Sequence, residues 1–276
     1  MPQIAFWGPL HGQVGTTSNT IAAGAALGTV TSLKTLISHT HWTHSTLERA
    51  FLKNVSLYDS SFVKFTDVGL DALARYAKSR KLEPDIVKDY THPIIKDRLD
   101  LLYGTTKNDE DAVELIHVIN DILNNANKYY DLTLVDVNSG SLNLLTRAVV
   151  QSSDLVVVCL NQNTSVLERY FGGEWDEFLG DKPYLIVLGQ YDRDVHNTYS
   201  NISRKYKHKA PIYTVPRCSA FLNAYNESAV MEFFMRNRQL SKRNENNFFI
   251  EEVRRLVQGI CTHCGINWKM NSDRGA

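Results

Sequence analysis

Residues 8–18, GPLHGQVGTTS, follow an apolar run directly and have the spacing of a phosphate-binding loop. Gly12 and Gly15 permit positive φ angles and a close backbone approach, and amides at the start of the next helix can bind an anion. Thr17 stands where a hydroxyl would coordinate magnesium. The preceding position, which carries a lysine in such loops, holds Thr16. The spacing therefore predicts a phosphate cradle without its usual cation.

A second feature supports this interpretation. Residues 130–136, YDLTLVD, predict an apolar strand that ends in an acid, and Gly140 follows four residues later. An aspartate at that strand tip can hold the magnesium shell, and the glycine suits a loop that senses the γ-phosphate. Thr17 and Asp136 are the candidate magnesium ligands, to be used only when nucleotide binds, and the predicted cofactors are ATP and Mg²⁺.

The elements that must position these residues alternate between strands and helices. Continuous apolar runs indicate strands covered on both faces, as in a parallel sheet. The predicted strands are 3–7, 34–38, 132–136, 154–160 and 184–188, with weaker candidates at 99–103 and 212–215. The predicted helices are 17–27, 46–53, 67–81, 109–127, 141–150, 196–206 and 248–260. This order predicts a three-layer α/β/α fold with a doubly wound, mostly parallel sheet.

The domain organisation expected is one domain over residues 1–276, with a helical insertion at about 55–98. Hydrophobic residues make up 43% of the chain, and 30 basic residues balance 30 acidic ones. There is thus no overall cationic field to favour nucleic acid. No run approaches the roughly 18 apolar residues of a membrane span, and the start lacks the features of a secretory signal. We expect a cytoplasmic protein, with a peripheral position at the inner face of the membrane as the alternative.

With these motifs in place, the chain resembles the ParA/MinD branch of P-loop ATPases, whose loop reads KGGVGKTT. The eight matching positions are His11, Gly12, Gln13, Val14, Gly15, Thr16, Thr17 and Ser18. Residues 130–136 are similar to the family's YDYVLID strand, and 154–158 to its SDLVIIP strand. Residues 215–216 and 226–234 resemble the VPY…NEG…VxxFF ending of the pilus-associated members called TadZ or CpaE. The resemblance covers residues 1 to about 260.

The resemblance implies that nucleotide binds at positions 11–18, joined by Gln190 and Pro216, and that the protein is a homodimer. Four family residues are replaced. His11 stands for the lysine that reaches the partner's nucleotide, Thr16 for the phosphate-binding lysine, His39 for the acid near the attacking water, and Gly189 for the adenine-reading asparagine. Such electrostatic groups are commonly worth about 3–4 kcal/mol each in catalysis. Hydrolysis is therefore expected to be very slow or absent, no catalytic residue is assigned, and binding can persist through backbone amides and magnesium. The alternative is a tight turn that holds no ligand.

Three functions stay open on these grounds. The first is a positioning or scaffold component that recruits protein partners into a larger bacterial assembly of the pilus or secretion type. The second is an active ATPase with an atypical loop, using His11, Thr17 and Asp136. The third is a partition protein associated with DNA or membrane.

Each of the remaining patterns allows both a functional and a purely structural interpretation. His39, His41 and His44 could bind zinc or could form a polar loop. Cys261 and Cys264 form a lone CxxC without a second ligand pair, which favours residual cysteines. The amphipathic helix at 248–260 could contact membrane, but its acidic residues favour packing on the sheet. The basic run before it is expected to be a solvated loop rather than a DNA groove; it contains Arg236, Arg238, Lys242 and Arg243.

Overall fold

A computed structural model of the chain describes residues 1–41, 46–53, 69–105 and 113–267. Within these ranges the strands are β1 (Gln3–Trp7), β2 (Thr35–His39), β3 (His92–Ile95), β4 (Leu99–Leu102), β5 (Leu132–Asp136), β6 (Leu155–Leu160), β7 (Tyr184–Tyr191) and β8 (Ile212–Pro216). The helices are α1 (Thr16–Val30), α2 (Leu47–Phe51), α3 (Gly69–Lys78), α4 (Pro84–Asp89), α5 (Val113–Tyr129), α6 (Leu144–Ser152), α7 (Thr164–Phe171), α8 (Asp176–Leu179), α9 (Tyr199–Lys205), α10 (Ser219–Asn226), α11 (Val230–Arg236) and α12 (Asn247–His263).

The strands form one sheet in the order β3-β4-β2-β5-β1-β6-β7-β8, with every neighbouring pair parallel except β3 and β4. Each of β1, β2, β5 and β6 is buried along its whole length, because helices cover both faces of the sheet. The predicted α/β fold with a mostly parallel, doubly wound sheet is confirmed. In register, Asp136 pairs with Phe6 on one side and with His39 on the other. The ends of β1, β2 and β5 therefore meet at one edge of the sheet.

Helix α1 follows β1 and is buried over nearly its whole length. Its small residues let it approach the strands closely: a Cβ on Gly24 would lie 2.8 Å from Ile37 Cδ1. Helix α12 packs against both α1 and β8. Its apolar face is buried and comprises Phe249, Ile250, Val253, Leu256, Val257, Ile260 and Cys261. The C-terminal helix is thus part of the core, as its acidic residues indicated.

The described part of the segment at about 55–98, residues 69–98, differs from the helical insertion expected. It contains α3 and α4, but it ends in strand β3, which pairs antiparallel with β4. The sequence pattern missed β3 because the strand is four residues long, half-exposed and contains Pro93. Proline is tolerated in this position because β3 is an edge strand.

Some helices begin at residues other than those predicted, because side chains cap their first turns. Helix α6 begins at Leu144 because the Asn143 side chain accepts a hydrogen bond from Thr146 N, and Thr198 caps α9 in the same way. Helices α4, α7, α8, α10 and α11 were not predicted, since each has eight residues or fewer and too little sequence to show a period. The predicted starts at 67 and 109 lie outside the described residues.

Candidate nucleotide site

The glycine-rich turn after β1 has the backbone conformation that its glycines predicted. Gly12 and Gly15 both adopt left-handed conformations, with φ of 70° and 69°. Gly15 is the N-cap of α1, and its carbonyl accepts the first helical hydrogen bond, from Asn19 N at 2.9 Å. The amides of the first turn before Asn19 have no partner within the helix, so they are available to an anion in front of the turn.

Neighbouring loops hold this turn in place. The Asn161 side chain donates to Gln13 O at 3.0 Å, from the loop after β6. From the loop after β5, Gly140 N donates to Gly8 O at 3.0 Å. The Trp7 indole donates in turn to Gly140 O at 2.8 Å. The loop that follows Asp136 is therefore linked directly to the base of the glycine turn.

Thr17 and Asp136, the predicted magnesium ligands, are in contact. The Thr17 hydroxyl donates to Asp136 Oδ2 at 2.6 Å. Asp136 is fully buried, and its Oδ1 has no hydrogen-bond partner among the described residues. His41 Nε2 lies 3.4 Å from Oδ2 without hydrogen-bond geometry. A buried carboxylate oxygen without a donor, next to a hydroxyl, is a pair of hard oxygen ligands that suits Mg²⁺.

Thr16 lies at the base of the loop. It is buried, and its Oγ1 has no hydrogen-bond partner among the described residues. A Cβ on Gly8 would lie 2.7 Å from this oxygen, so the hydroxyl packs against the end of β1. His11 and Gln13, in contrast, are exposed on the outer side of the turn, where Gly12 also lies. The turn thus presents backbone amides, with an imidazole at its rim and no lysine.

A cavity of about 360 Å³ lies beside the start of α1. It brings together Ser18, Gln190 and Pro216, three of the residues predicted to bind nucleotide, at the ends of β7 and β8. Gln190 has a left-handed backbone (φ 50°) at an irregularity in the pairing of β7 with β8, and its side chain lies near Gly15. The cavity is also lined by residues the sequence analysis did not select, including Asn19, Arg217, Phe221, Tyr225 and Phe249. Of these, only Arg217, an exposed cation directly after Pro216, could have been proposed from its position.

Gly189, the position at which the family resemblance implies an adenine-reading asparagine, leaves no room for a side chain. A Cβ there would lie 2.5 Å from Val14 O and 2.9 Å from Asn19 Nδ2. The glycine lets β7 pack directly against the turn, and the buried Asn19 fills the space beside it. The replacement is therefore part of the packing of the loop.

His39 pairs with a residue that the sequence analysis missed. Its Nε2 contacts Glu48 Oε1, which also accepts a bond from Gly104 N at 3.3 Å. Both side chains are buried. Burial alone would lower the pKa of His39, but the Glu48 carboxylate, with help from Asp136, raises it above its ordinary value. Burial would raise the pKa of Glu48, but the His39 charge and hydrogen bond lower it.

The zinc alternative has no geometric support in the described part of the chain, where no group of His, Cys, Asp and Glu is arranged to hold a metal ion. His39 faces Glu48, His41 faces Asp136, and His44 lies outside the described residues. Cys261 and Cys264 are free thiols, and burial raises their pKa values to about 12 and about 11. Burial therefore favours the protonated thiol at both positions.

Comparisons with known proteins identify solved structures that share this fold. No protein-family model matches the chain, and no curated protein matches it in sequence. Solved structures do match. They define the class by fold: the chain has the architecture of the ParA- and MinD-type P-loop ATPases, as its sequence resemblance implied.

Three solved structures illustrate this similarity of fold. A ParA family ATPase from Chlorobium tepidum has a TM-score of 0.70 at 14% identity, with 93% of this chain and 98% of that one covered. The septum site-determining protein MinD from Pyrococcus horikoshii, complexed with Mg-ADP, has a TM-score of 0.69 at 16% identity, covering 96% and 98%. The MinC:MinD cell division complex of Aquifex aeolicus has a TM-score of 0.63 at 17% identity, covering 94% and 96%.

Among the described residues, no helix is both long and apolar enough to cross a bilayer. The basic run before α12 contains exposed side chains at Arg236, Lys242 and Arg243. The guanidinium of Arg254, on α12, reaches back to the Arg238 carbonyl and to Glu251. The run is a surface segment tied to α12.

Proposed function

We propose that this protein is a nucleotide-responsive positioning or scaffold protein: it binds ATP with Mg²⁺, hydrolyses it very slowly or not at all, and recruits protein partners. The observation that carries the proposal is the contact between Thr17 and the buried Asp136, beside a turn with two left-handed glycines and a threonine in place of the lysine. This arrangement keeps the groups that bind phosphate and metal and lacks the cation that would neutralise charge developing during cleavage.

The residues present fit the proposed ligand. The amides at the start of α1 would bind the phosphates, and Thr17 and Asp136 would hold Mg²⁺, which when bound neutralises phosphate charge. The cavity at Ser18, Gln190 and Pro216 would receive the base, with Phe221 and Tyr225 as apolar walls. MinD from Pyrococcus horikoshii, with the same fold, was solved with Mg-ADP, which supports ATP and Mg²⁺ as the cofactors here.

Self-association and a protein partner are supported by the surface beside this edge. Leu142 and Leu144, in the segment after Gly140, are 92% and 61% exposed. Exposed leucines next to a loop that is linked to the glycine turn suit a contact that responds to nucleotide. The MinD of Aquifex aeolicus was solved with MinC, which gives a precedent for a protein partner on this fold. We propose a homodimer that recruits a larger assembly, with the pilus type favoured by the VP and NES segments at 215–216 and 226–228.

Analytical ultracentrifugation with and without ATP and Mg²⁺ tests this function. We expect nucleotide to shift the protein from monomer toward dimer at micromolar concentration. The substitution Leu142→Ser should weaken the dimer without changing nucleotide affinity, whereas Met235→Ser, at another exposed apolar residue outside the cavity, serves as a control for surface apolarity. A mass that is the same under both conditions, with no nucleotide bound, would contradict the proposal.

A further inference from the structure

A second cavity lies at the opposite edge of the sheet, where β2, β4 and β5 begin. Its volume is about 430 Å³, and it is lined by the turn before β2, by α4, by the β3–β4 hairpin and by the end of α5. Strand β2 runs from Thr35 to His39, and a strand rises about 3.3 Å per residue, so the two edges are roughly 15 Å apart. This cavity is therefore separate from the glycine turn.

Cations dominate its lining. Lys34, Lys88, Lys96 and Arg98 line the cavity together with two carboxylates, Asp97 and Asp100, which leaves a net excess of two positive charges. None of the four cations forms an ion pair with another residue in the described ranges. Like charges that converge on one cavity repel each other, and a bound anion relieves that repulsion.

The backbone that carries these cations is fixed. Lys34 N donates to Asp131 Oδ2 at 2.8 Å, and the Arg98 carbonyl accepts from Thr35 N at 2.8 Å. Arg98 N closes the hairpin turn on Ile95 O at 3.0 Å. Because the turns are tied to the sheet before any ligand arrives, little order has to be gained when an anion binds.

The cavity lining also contains an aromatic ring and a buried polar pair. The Tyr129 ring lines the cavity, with Lys34 Nζ at 5.2 Å from the ring centroid. Beneath it, the Tyr130 hydroxyl donates to Asp100 Oδ2 at 2.7 Å, and both side chains are buried. The cavity thus combines a ring face, a buried polar pair and cations at the rim, which is the mixture found in sites for small polar molecules.

We propose that this cavity binds a free phosphate monoester carried on a ring. A monoester has about −1.5 to −2 charges at pH 7, which matches the excess of positive charge in the lining. The volume suits a ring of the size that can lie against Tyr129. This inference is independent of the function proposed for the glycine turn.

Isothermal titration calorimetry with phenyl phosphate tests the proposal, because this probe has one ring and one monoester and no nucleotide base. We expect saturable binding at one site, with phenol giving none and inorganic phosphate binding more weakly. The double substitution Lys96→Gln/Arg98→Gln should weaken binding by at least about tenfold. The double substitution Lys242→Gln/Arg243→Gln removes the same two charges elsewhere on the surface and should leave it unchanged. Asp136→Asn should also leave it unchanged.

Several results would overturn the proposal: no heat with the wild type at about 10 mM probe, equal weakening by the two double substitutions, or loss through Asp136→Asn. Urea unfolding of each variant checks that it is folded, and Lys34→Gln gives a second variant if the double substitution fails that check. Sedimentation with phosphatidylglycerol vesicles distinguishes the source of the phosphate. Lys96- and Arg98-dependent binding to vesicles, without binding to phenyl phosphate, would identify a lipid headgroup and contradict a free ligand.

Discussion

The Thr17 hydroxyl donates to Asp136 Oδ2 at 2.6 Å, although the two residues lie 119 positions apart in the chain. The contact exists because parallel strands β1 and β5 are neighbours whose ends meet at one edge, with α1 starting directly above it. The second oxygen of Asp136 is buried without a donor among the described residues. These two side chains join the glycine turn to the sheet.

Replacing the carboxylate should remove the response to magnesium. In Asp136→Asn we expect nucleotide affinity without Mg²⁺ to stay within about twofold of wild type, and the gain on adding Mg²⁺ to fall by at least tenfold, because an amide is a poor ligand for Mg²⁺. Fluorescence titration with an ATP analogue measures both. The exposed Asp121→Asn is the matched control. An unchanged magnesium effect in Asp136→Asn would exclude this residue as a ligand.

Restoring a lysine should restore charge to the turn. We expect Thr16→Lys to bind ATP about 10- to 100-fold more tightly than Thr16→Met, since a charged hydrogen bond contributes about 1.5–3 kcal/mol. Methionine has similar length without the charge, so it controls for the loss of the buried threonine. Binding constants for ATP and ADP from the same titrations make the comparison. Equal affinities for the two variants would mean that the turn does not face phosphate.

The buried His39–Glu48 pair should matter for stability when one partner is removed. We expect Glu48→Leu or His39→Leu to lower the free energy of unfolding by about 3–5 kcal/mol, because each leaves the other group buried without its partner. The double substitution His39→Leu/Glu48→Leu should cost less than the sum of the single ones. Urea unfolding of the four proteins gives the coupling. Strict additivity would show that the two side chains do not interact.

The same pair predicts a pH dependence. The pKa of His39 is raised from 6.5, so its contribution is complete below pH 6.5 and is lost as pH rises through the raised value. The pKa of Glu48 is lowered from 4.5, so its contribution is complete above pH 4.5 and is lost as pH falls through the lowered value. The stability difference between wild type and His39→Gln should therefore be largest between pH 4.5 and pH 6.5, where both contributions are complete, and it should shrink toward alkaline pH. A difference that grows above pH 7 would contradict the assignment.

Gly189 should not tolerate a side chain. A Cβ there would meet the Val14 carbonyl at 2.5 Å, and backbone cannot move aside cheaply. We expect Gly189→Ala to lower the free energy of unfolding by about 1–3 kcal/mol and to weaken nucleotide binding by displacing the turn. Gly24→Ala is a useful comparison, because its Cβ would meet the flexible end of Ile37 and should cost less. A neutral Gly189→Ala would mean that the turn moves freely away from β7.

Much of the sheet and of the glycine turn could be predicted from the sequence, because the types of the residues in each segment determine its local structure. The buried strands β1, β5 and β6 are continuous apolar runs, and the glycines of the turn signal its left-handed backbone directly. Glu48 could not be found, because its link to His39 comes from the fold and not from sequence spacing. Strand β3 and helices α4, α7, α8, α10 and α11 were missed because they contain too few residues to show a clear period. Asn19 could not be selected from the sequence, because its position in the site depends on the close approach of β7 at Gly189.

The central claim is that the turn binds nucleotide but lacks the cations that speed its cleavage. The most direct measurement records binding and phosphate release on one sample: a fluorescent ATP analogue is titrated with Mg²⁺, and release is then followed at saturation. We predict saturable, magnesium-dependent binding and no release above the rate of the Asp136→Asn variant. Rapid release that Asp136→Asn abolishes, or no binding at millimolar nucleotide, would contradict the account.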